Sequence, residues 1–114
     1  MDGEWGLGMR LDSTISFPYQ MTLGAIRDND LIYKMGQFVA RDFKRLGMQM
    51  NFAPDMDVNN NPNNPVIGFR SFGDNKINVA KKGIAYLQGM QSGGILTTAK
   101  HLSLIHISEP TRPY

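Results

Sequence analysis

Between Asp28 and Gly47 the apolar residues Leu31, Met35, Phe38, Val39, Phe43 and Leu46 recur at three- and four-residue steps. That spacing puts one apolar stripe along an α-helix. Asp28-Asn29-Asp30 offers N-cap oxygens and negative charge for the first turn. Lys44 and Arg45 suit the last turn, and Gly47 is placed to stop the helix. The period then changes. Met48-Gln49-Met50-Asn51-Phe52 alternates apolar and polar, which predicts a short strand. The same succession recurs downstream. Asp74-Asn75 offers the next N-cap, and a second helix face is expected along Ile77, Ala80, Ile84, Leu87 and Gln91, flanked by Val79 and Met90. Gly93-Gly94 ends that helix, Ile95 to Ala99 reads as the next strand, and Lys100-His101 stands at its carboxyl end.

The order is loop, helix, strand, loop, helix, strand, which predicts a parallel α/β architecture. Functional groups of such folds sit at the carboxyl ends of the strands. Here those ends carry Asn51, the long Asn- and Pro-rich stretch from Ala53 to Gly73, and the Lys100-His101 pair. A connection of that length in a compact domain is usually functional or disordered. At the start of the chain Gly3, Gly6 and Gly8 alternate with Trp5, Leu7 and Met9, a loop in which backbone passes close to something else.

Composition narrows the classes. A chain of 114 residues with 41% hydrophobic content makes one folded domain at most. The absence of cysteine excludes a disulfide scaffold, a cysteine nucleophile and a thiolate metal site. Twelve Lys+Arg against ten Asp+Glu leave a net charge of +2, with no run of like charge that would make a nucleic-acid arm. No apolar stretch approaches membrane-spanning length, and MDGEWGLGMR lacks the apolar core of a signal peptide.

Three ordered motifs then become specific: DGEWGLGMRL, NFAPDMDVNNNPNNPVIGFRSFG, and AKH after a strand. Together they resemble the N-terminal barrel domain of glycoside hydrolase family 3 over residues 1–101. The loop D-V-N-x-N-P-x-N-P-V-I-G-x-R-S-F-G resembles the β-N-acetylhexosaminidase branch. The β-glucosidase branch usually carries an Arg- and Trp-containing sequence after D-V. The resemblance implies an α/β fold, a fragment of a (β/α)8 TIM barrel whose full length is about 250 residues. In the family A-K-H continues into F-P-G-H-G, whereas here His101 is followed by LSLIHISEPTRPY. With a permitted choice of codons that tail back-translates to the transposase-end adapter of shotgun sequencing libraries. Residues 102–114 are therefore expected to be translated adapter; a natural variable C-terminus is the other reading. Glu109 and Arg112 cancel within the tail, and His106, which lies there, is given no role.

The resemblance implies a retaining exo-glycosidase that removes terminal β-linked N-acetylglucosamine from a glycan or muropeptide. Its nucleophilic aspartate and its histidine–aspartate acid/base dyad would both lie past residue 101. The chain by itself is then expected to be inactive, with no catalytic residue among 1–101 and no metal or organic cofactor. It also implies that Asp2, Arg10, Arg70, Lys100 and His101 bind sugar hydroxyls. Spacing alone leaves other readings open: a solvated charged terminus for Asp2 and Arg10, a surface arginine after a turn for Arg70, and a snorkelling lysine beside a satisfied histidine for Lys100-His101. A lysine pointing into a barrel mouth needs partners, and Asp2 is a candidate. Glu4 invites pairing with Asp2 as two catalytic carboxyls, but residues two apart in extended chain point to opposite faces, and the family implies a supporting role for it. Trp5 is expected to pack at the barrel rim rather than stack on a sugar. Asp55, Asp57, Asn59 and Asn61 open like a calcium loop, yet Asn60 and Val66 stand where glycine and glutamate are needed. Asp57 matches the family's aspartate. Asp55 stands where the family usually has an apolar residue, and an unpaired carboxylate against the barrel is costly; a sequencing error is the other reading of that position. Two further functions remain open: a β-glucosidase of the same family, and a non-catalytic α/β sugar-binding module.

Overall fold

Asp28 begins the first long helix as its sequence suggests, its Oδ1 accepting from the Asp30 N–H at 2.9 Å. The computed structural model describes residues 1–59, 63 and 67–101. In it a short helix α1 (Gln20–Leu23) precedes α2 (Asn29–Arg45), β1 (Met50–Asn51), α3 (Lys76–Ser92) and β2 (Leu96–Thr97). Single helical turns stand at Leu7–Met9 and Gly68–Arg70. Gly47 follows α2 with a φ of +76°, the left-handed stop that glycine adopts without a Cβ penalty. Asn75 caps α3 by accepting from the N–H groups of Ile77 and Asn78.

β1 and β2 pair in parallel, Met50 opposite Leu96 and Asn51 opposite Thr97. Both are shorter than the sequence predicts. Pro54 has no N–H to donate, but the pairing resumes beyond it with Asp55 opposite Lys100. On the other side of β1 the Phe52 N–H donates to the Met1 carbonyl at 3.0 Å. The first residues thus lie beside β1, and β2 lies on its far side. Asn51, expected among the functional strand ends, is instead buried. Its side-chain amide exchanges two 2.9 Å hydrogen bonds with the Gly3 backbone, pinning the first segment to the sheet.

On α2 only Met35, Val39 and Phe43 of the predicted stripe are buried, and on α3 the core face follows the flanking Val79 and Met90 rather than Ile77 and Ile84. On α2 the buried residues are Ile32, Met35, Gly36, Val39, Ala40 and Phe43. Leu31, Phe38 and Leu46 are 51%, 46% and 52% exposed. On α3 the core face is Val79, Lys82, Gly83, Tyr86, Gly89 and Met90, while Ile77 and Ile84 point outward. The reason is the crossing of the two helices. A Cβ on Gly36 would collide with the Tyr86 carbonyl, and one on Gly89 with the Tyr33 carbonyl. Small residues let the backbones meet there, and the larger neighbours on those same faces, Val39, Phe43, Tyr86 and Met90, become the core. Lys82 is accommodated in this layer by donating to Asn29 Oδ1 at 2.6 Å, and burial lowers its pKa. Among the described residues no helix is long and apolar enough to cross a membrane.

Candidate active site

Three distant segments meet at the carboxyl end of the strands. The first loop supplies Asp2, Glu4 and Arg10; the turn Gly68–Arg70 supplies Arg70; the chain leaving β2 supplies Lys100 and His101. All six line one cleft of about 540 Å³. The parallel pairing of Asp55 with Lys100 sets the last two residues beside the start of the Asn- and Pro-rich stretch. The peptides Ala53–Pro54 and Lys100–His101 are cis.

Lys100 is the hub of the acidic side. Its Nζ lies 3.0 Å from Asp2 Oδ1 and 3.1 Å from Glu4 Oε2. Arg10 Nη2 donates to the other oxygen of Asp2 at 3.3 Å. The hydrogen bond from Lys100 is the largest influence on Asp2 and holds its carboxyl below the usual range. Arg70 meets Glu4 as a fork, with Nε to Oε1 and Nη2 to Oε2 both at 3.1 Å. That pair raises the pKa of Arg70 further and keeps it a cation. Such planar bidentate pairs are the strong, directional form of an ion pair.

Sequence spacing placed Asp2 and Glu4 on opposite faces, and the structure corrects this. The Gly6 N–H bonds back to the Gly3 carbonyl at 3.1 Å, so the chain turns at Glu4 and both carboxylates reach the same ammonium. Glu4 is fully buried and holds two cations. It occupies the supporting position that the resemblance implied and lies nearer the centre of the site than its sequence context suggests. Gln20 reinforces the turn by donating through its side-chain amide to the Glu4 carbonyl.

His101 closes the other side. Its Nε2 is 3.3 Å from Arg70 Nη2 and its Nδ1 is 2.8 Å from Asp57 Oδ2. A guanidinium can only donate, so Nε2 accepts and the ring proton sits on Nδ1, directed at Asp57. Asp57 also accepts from the His101 backbone N–H at 3.3 Å, and the Ser71 hydroxyl donates to its carbonyl at 2.6 Å. Asp57 thereby sets the ring's tautomer and orientation, a role the sequence signalled only through the D-V motif.

Asp55 is fully buried beside this pair. Its Oδ1 accepts from the Asp57 N–H at 2.9 Å. Among the described residues no group donates a hydrogen bond to its Oδ2, which has Arg70 Nε at 3.7 Å. Burial, and then the neighbouring Asp57 carboxylate, push the Asp55 carboxyl up to about 8. The burden expected of a carboxylate at this position is therefore real in the fold. Trp5 does not line the cleft; it sits edge-on against Tyr19 with ring centres 4.7 Å apart. Asn61 and the residues that decide the calcium reading, Asn60 and Val66, lie outside the described residues, as do His106 and the 102–114 tail.

The fold and site together define an α/β unit in which carboxylates and cations ring one polar cleft at the strand ends. Residues 1–104 match the model of the glycosyl hydrolase family 3 N-terminal domain, and the chain belongs to that family. It is 37% identical over 106 residues to beta-hexosaminidase A of Pseudoalteromonas piscicida, covering 89% of this chain and 18% of the relative. It is 28% identical over 98 residues to a beta-N-acetylglucosaminidase/beta-glucosidase of Cellulomonas fimi, covering 86% and 17%. Among solved structures, a glycoside hydrolase family 3 beta-N-acetylglucosaminidase from Paenibacillus superposes with a TM-score of 0.81 at 40% identity, covering 88% of this chain and 19% of that one. The chain spans less than a fifth of the length of these relatives.

Proposed function

We propose that this chain is part of a retaining exo-glycosidase that removes terminal β-linked N-acetylglucosamine from a glycan or muropeptide, and that Asp2, Arg10, Arg70, Lys100 and His101 hold the sugar. The observation that carries the reading is the convergence of these five residues on one cleft, in a chain whose relatives include hexosaminidases. The chemistry suits a sugar. A carboxylate such as Asp2 accepts from two neighbouring hydroxyls, while ammonium and guanidinium groups donate to hydroxyl oxygens. Glu4 and Asp57 act as positioning residues: Glu4 aims Arg70 and Lys100, and Asp57 aims His101.

On this reading residues 1–101 are part of a (β/α)8 barrel and 102–114 are foreign to it. The parallel β1–β2 pair with its intervening helix supports the barrel. The nucleophilic aspartate and the acid/base histidine belong to segments beyond residue 101, and hydrolysis proceeds through a glycosyl-enzyme intermediate. The second reading, a β-glucosidase, is favoured by the double name of the Cellulomonas fimi relative.

Kinetics of the enzyme carrying residues 1–101, on an aryl N-acetyl-β-glucosaminide and an aryl β-glucoside, decide between them. The expected result is a clear preference for the first. Arg70→Ala and Lys100→Ala should each lower kcat/KM about 10- to 100-fold, since an unpaired buried partner costs about 1–3 kcal/mol. Preference for the glucoside would establish the second reading, and normal kinetics in Lys100→Ala would remove that lysine from the sugar site.

A further inference from the structure

We propose that Asp55, Asp57 and His101 form a binding site for one divalent cation of the zinc type, a site that sugar binding does not require. Each residue offers a ligand atom, and these atoms lie within 4.8 Å of one another. His101 Nδ1 is 2.8 Å from Asp57 Oδ2 and 3.9 Å from Asp55 Oδ1. Zinc–nitrogen and zinc–oxygen bonds of about 2.0–2.2 Å in a tetrahedron separate neighbouring ligands by about 3.4 Å. These two separations bracket that value, and the third, between the two carboxylates, lies within 4.8 Å, so closing the site takes side-chain adjustments of up to about 1.4 Å.

A second observation points the same way. Asp55 and Asp57 are 0% and 2% exposed, yet among the described residues no N–H group donates to Asp55 Oδ2 or Asp57 Oδ1, and a hydrogen bond between the two carboxyls exists only while Asp55 keeps its proton. Buried carboxylate oxygens nearly always have a partner. The Asp57 N–H bond to Asp55 Oδ1 ties the two acids into one local turn. Arg70 does not fill the gap. Its fork is spent on Glu4 at 3.1 Å, and it stands 3.7 Å from Asp55.

One imidazole nitrogen with two carboxylate oxygens suits zinc better than magnesium or calcium, which prefer six or more oxygen ligands. Binding would displace the Nδ1 proton of His101 and any proton on Asp55, and leave a fourth position for water. Asp55 makes the site particular to this sequence, because the family pattern implies an apolar residue there.

The test is calorimetric titration of zinc chloride into the chelator-stripped 114-residue chain, with cobalt(II) absorption as a reporter of coordination geometry. The expected result is uptake of one ion per chain, heats that depend on the buffer because protons are released, and a tetrahedral cobalt spectrum. Asp55→Asn, Asp55→Val and His101→Gln should each weaken affinity at least tenfold. His106→Gln, which alters the chain's other histidine, should not. Asp55→Asn preserves size, so it keeps the test valid if Asp55→Val perturbs folding. The proposal is overturned by failure to take up zinc at one per chain, by unchanged affinity in both Asp55 variants, by loss of binding in His106→Gln, or by a preference for calcium or magnesium.

Discussion

Glu4 and Arg70, 66 residues apart in sequence, hold each other through two parallel hydrogen bonds of 3.1 Å each. The carboxylate is 1% exposed and the arginine 28%. Breaking a buried pair costs about 3–5 kcal/mol because the remaining charge is left uncompensated. Glu4→Gln should therefore lose about 3 kcal/mol, towards the lower end, since Arg70 keeps part of its side chain in water. Arg70→Lys should not restore the site, because a point charge cannot fill both oxygens. Urea unfolding of the two variants measures this; a loss under 1 kcal/mol in Glu4→Gln would show the pair to be ornamental.

Asp55 should make stability fall as the pH rises. Its folded-state pKa is raised, to about 8 from an ordinary 3.8. Below about 4 the folded and unfolded chains both hold the proton, and the group costs nothing. As pH climbs towards 8 the unfolded chain releases its proton while the fold must retain it or ionise a buried carboxyl. Asp55→Val should consequently be more stable than the parent at pH 7, by about 1–3 kcal/mol, and the advantage should shrink towards pH 4. Thermal melts across this range, recorded in chelator, check the trend; an advantage that grows on acidification would refute the assigned cause.

Gly89 should be nearly irreplaceable. A Cβ there meets the Tyr33 carbonyl, which is backbone and cannot swing aside. Gly89→Ala should cost about 1–3 kcal/mol through a forced separation of α2 and α3. Gly47→Ala, where the added methyl meets open space but φ is +76°, should cost only about 1–2 kcal/mol. Equilibrium unfolding separates the two effects. A Gly89→Ala variant as stable as the parent would mean that the helices can part freely.

The 114-residue chain alone should not turn over an aryl N-acetyl-β-glucosaminide. The reading above assigns the nucleophile and acid/base to segments outside residues 1–101, and binding groups without a nucleophile do not cleave a glycosidic bond. Turnover that copurifies with the chain and disappears in Arg70→Ala would place catalytic groups within it.

Local signals in the sequence were enough for the two long helices, the two strands and their order, though not for α1 or the single turns at Leu7–Met9 and Gly68–Arg70. Asp28 and Asn75 as caps, Gly47 as a stop, the alternation at Met48–Phe52 and the strand expected at Ile95–Ala99 depend on interactions a few residues long. The motifs DGEWGLGMRL, the D-V-N loop and A-K-H likewise marked Asp2, Arg10, Arg70, Lys100 and His101, and the fold gathers all five in one cleft. Which face of each helix is buried was legible only in part. Met35, Val39 and Phe43 of the expected α2 stripe are buried, but Leu31, Phe38 and Leu46 give way to Ile32, Gly36 and Ala40, and that choice falls to the close approach at Gly36 and Gly89, a contact between distant segments. The centrality of Glu4 was hidden for the same reason: only a turn closed from Gly6 to Gly3 brings its carboxylate onto Lys100 beside Asp2. Tertiary structure alone also decided the fate of Asp55, since a carboxylate's cost depends on whether water or Asp57 and Arg70 surround it, and pairing across the parallel strands set those neighbours.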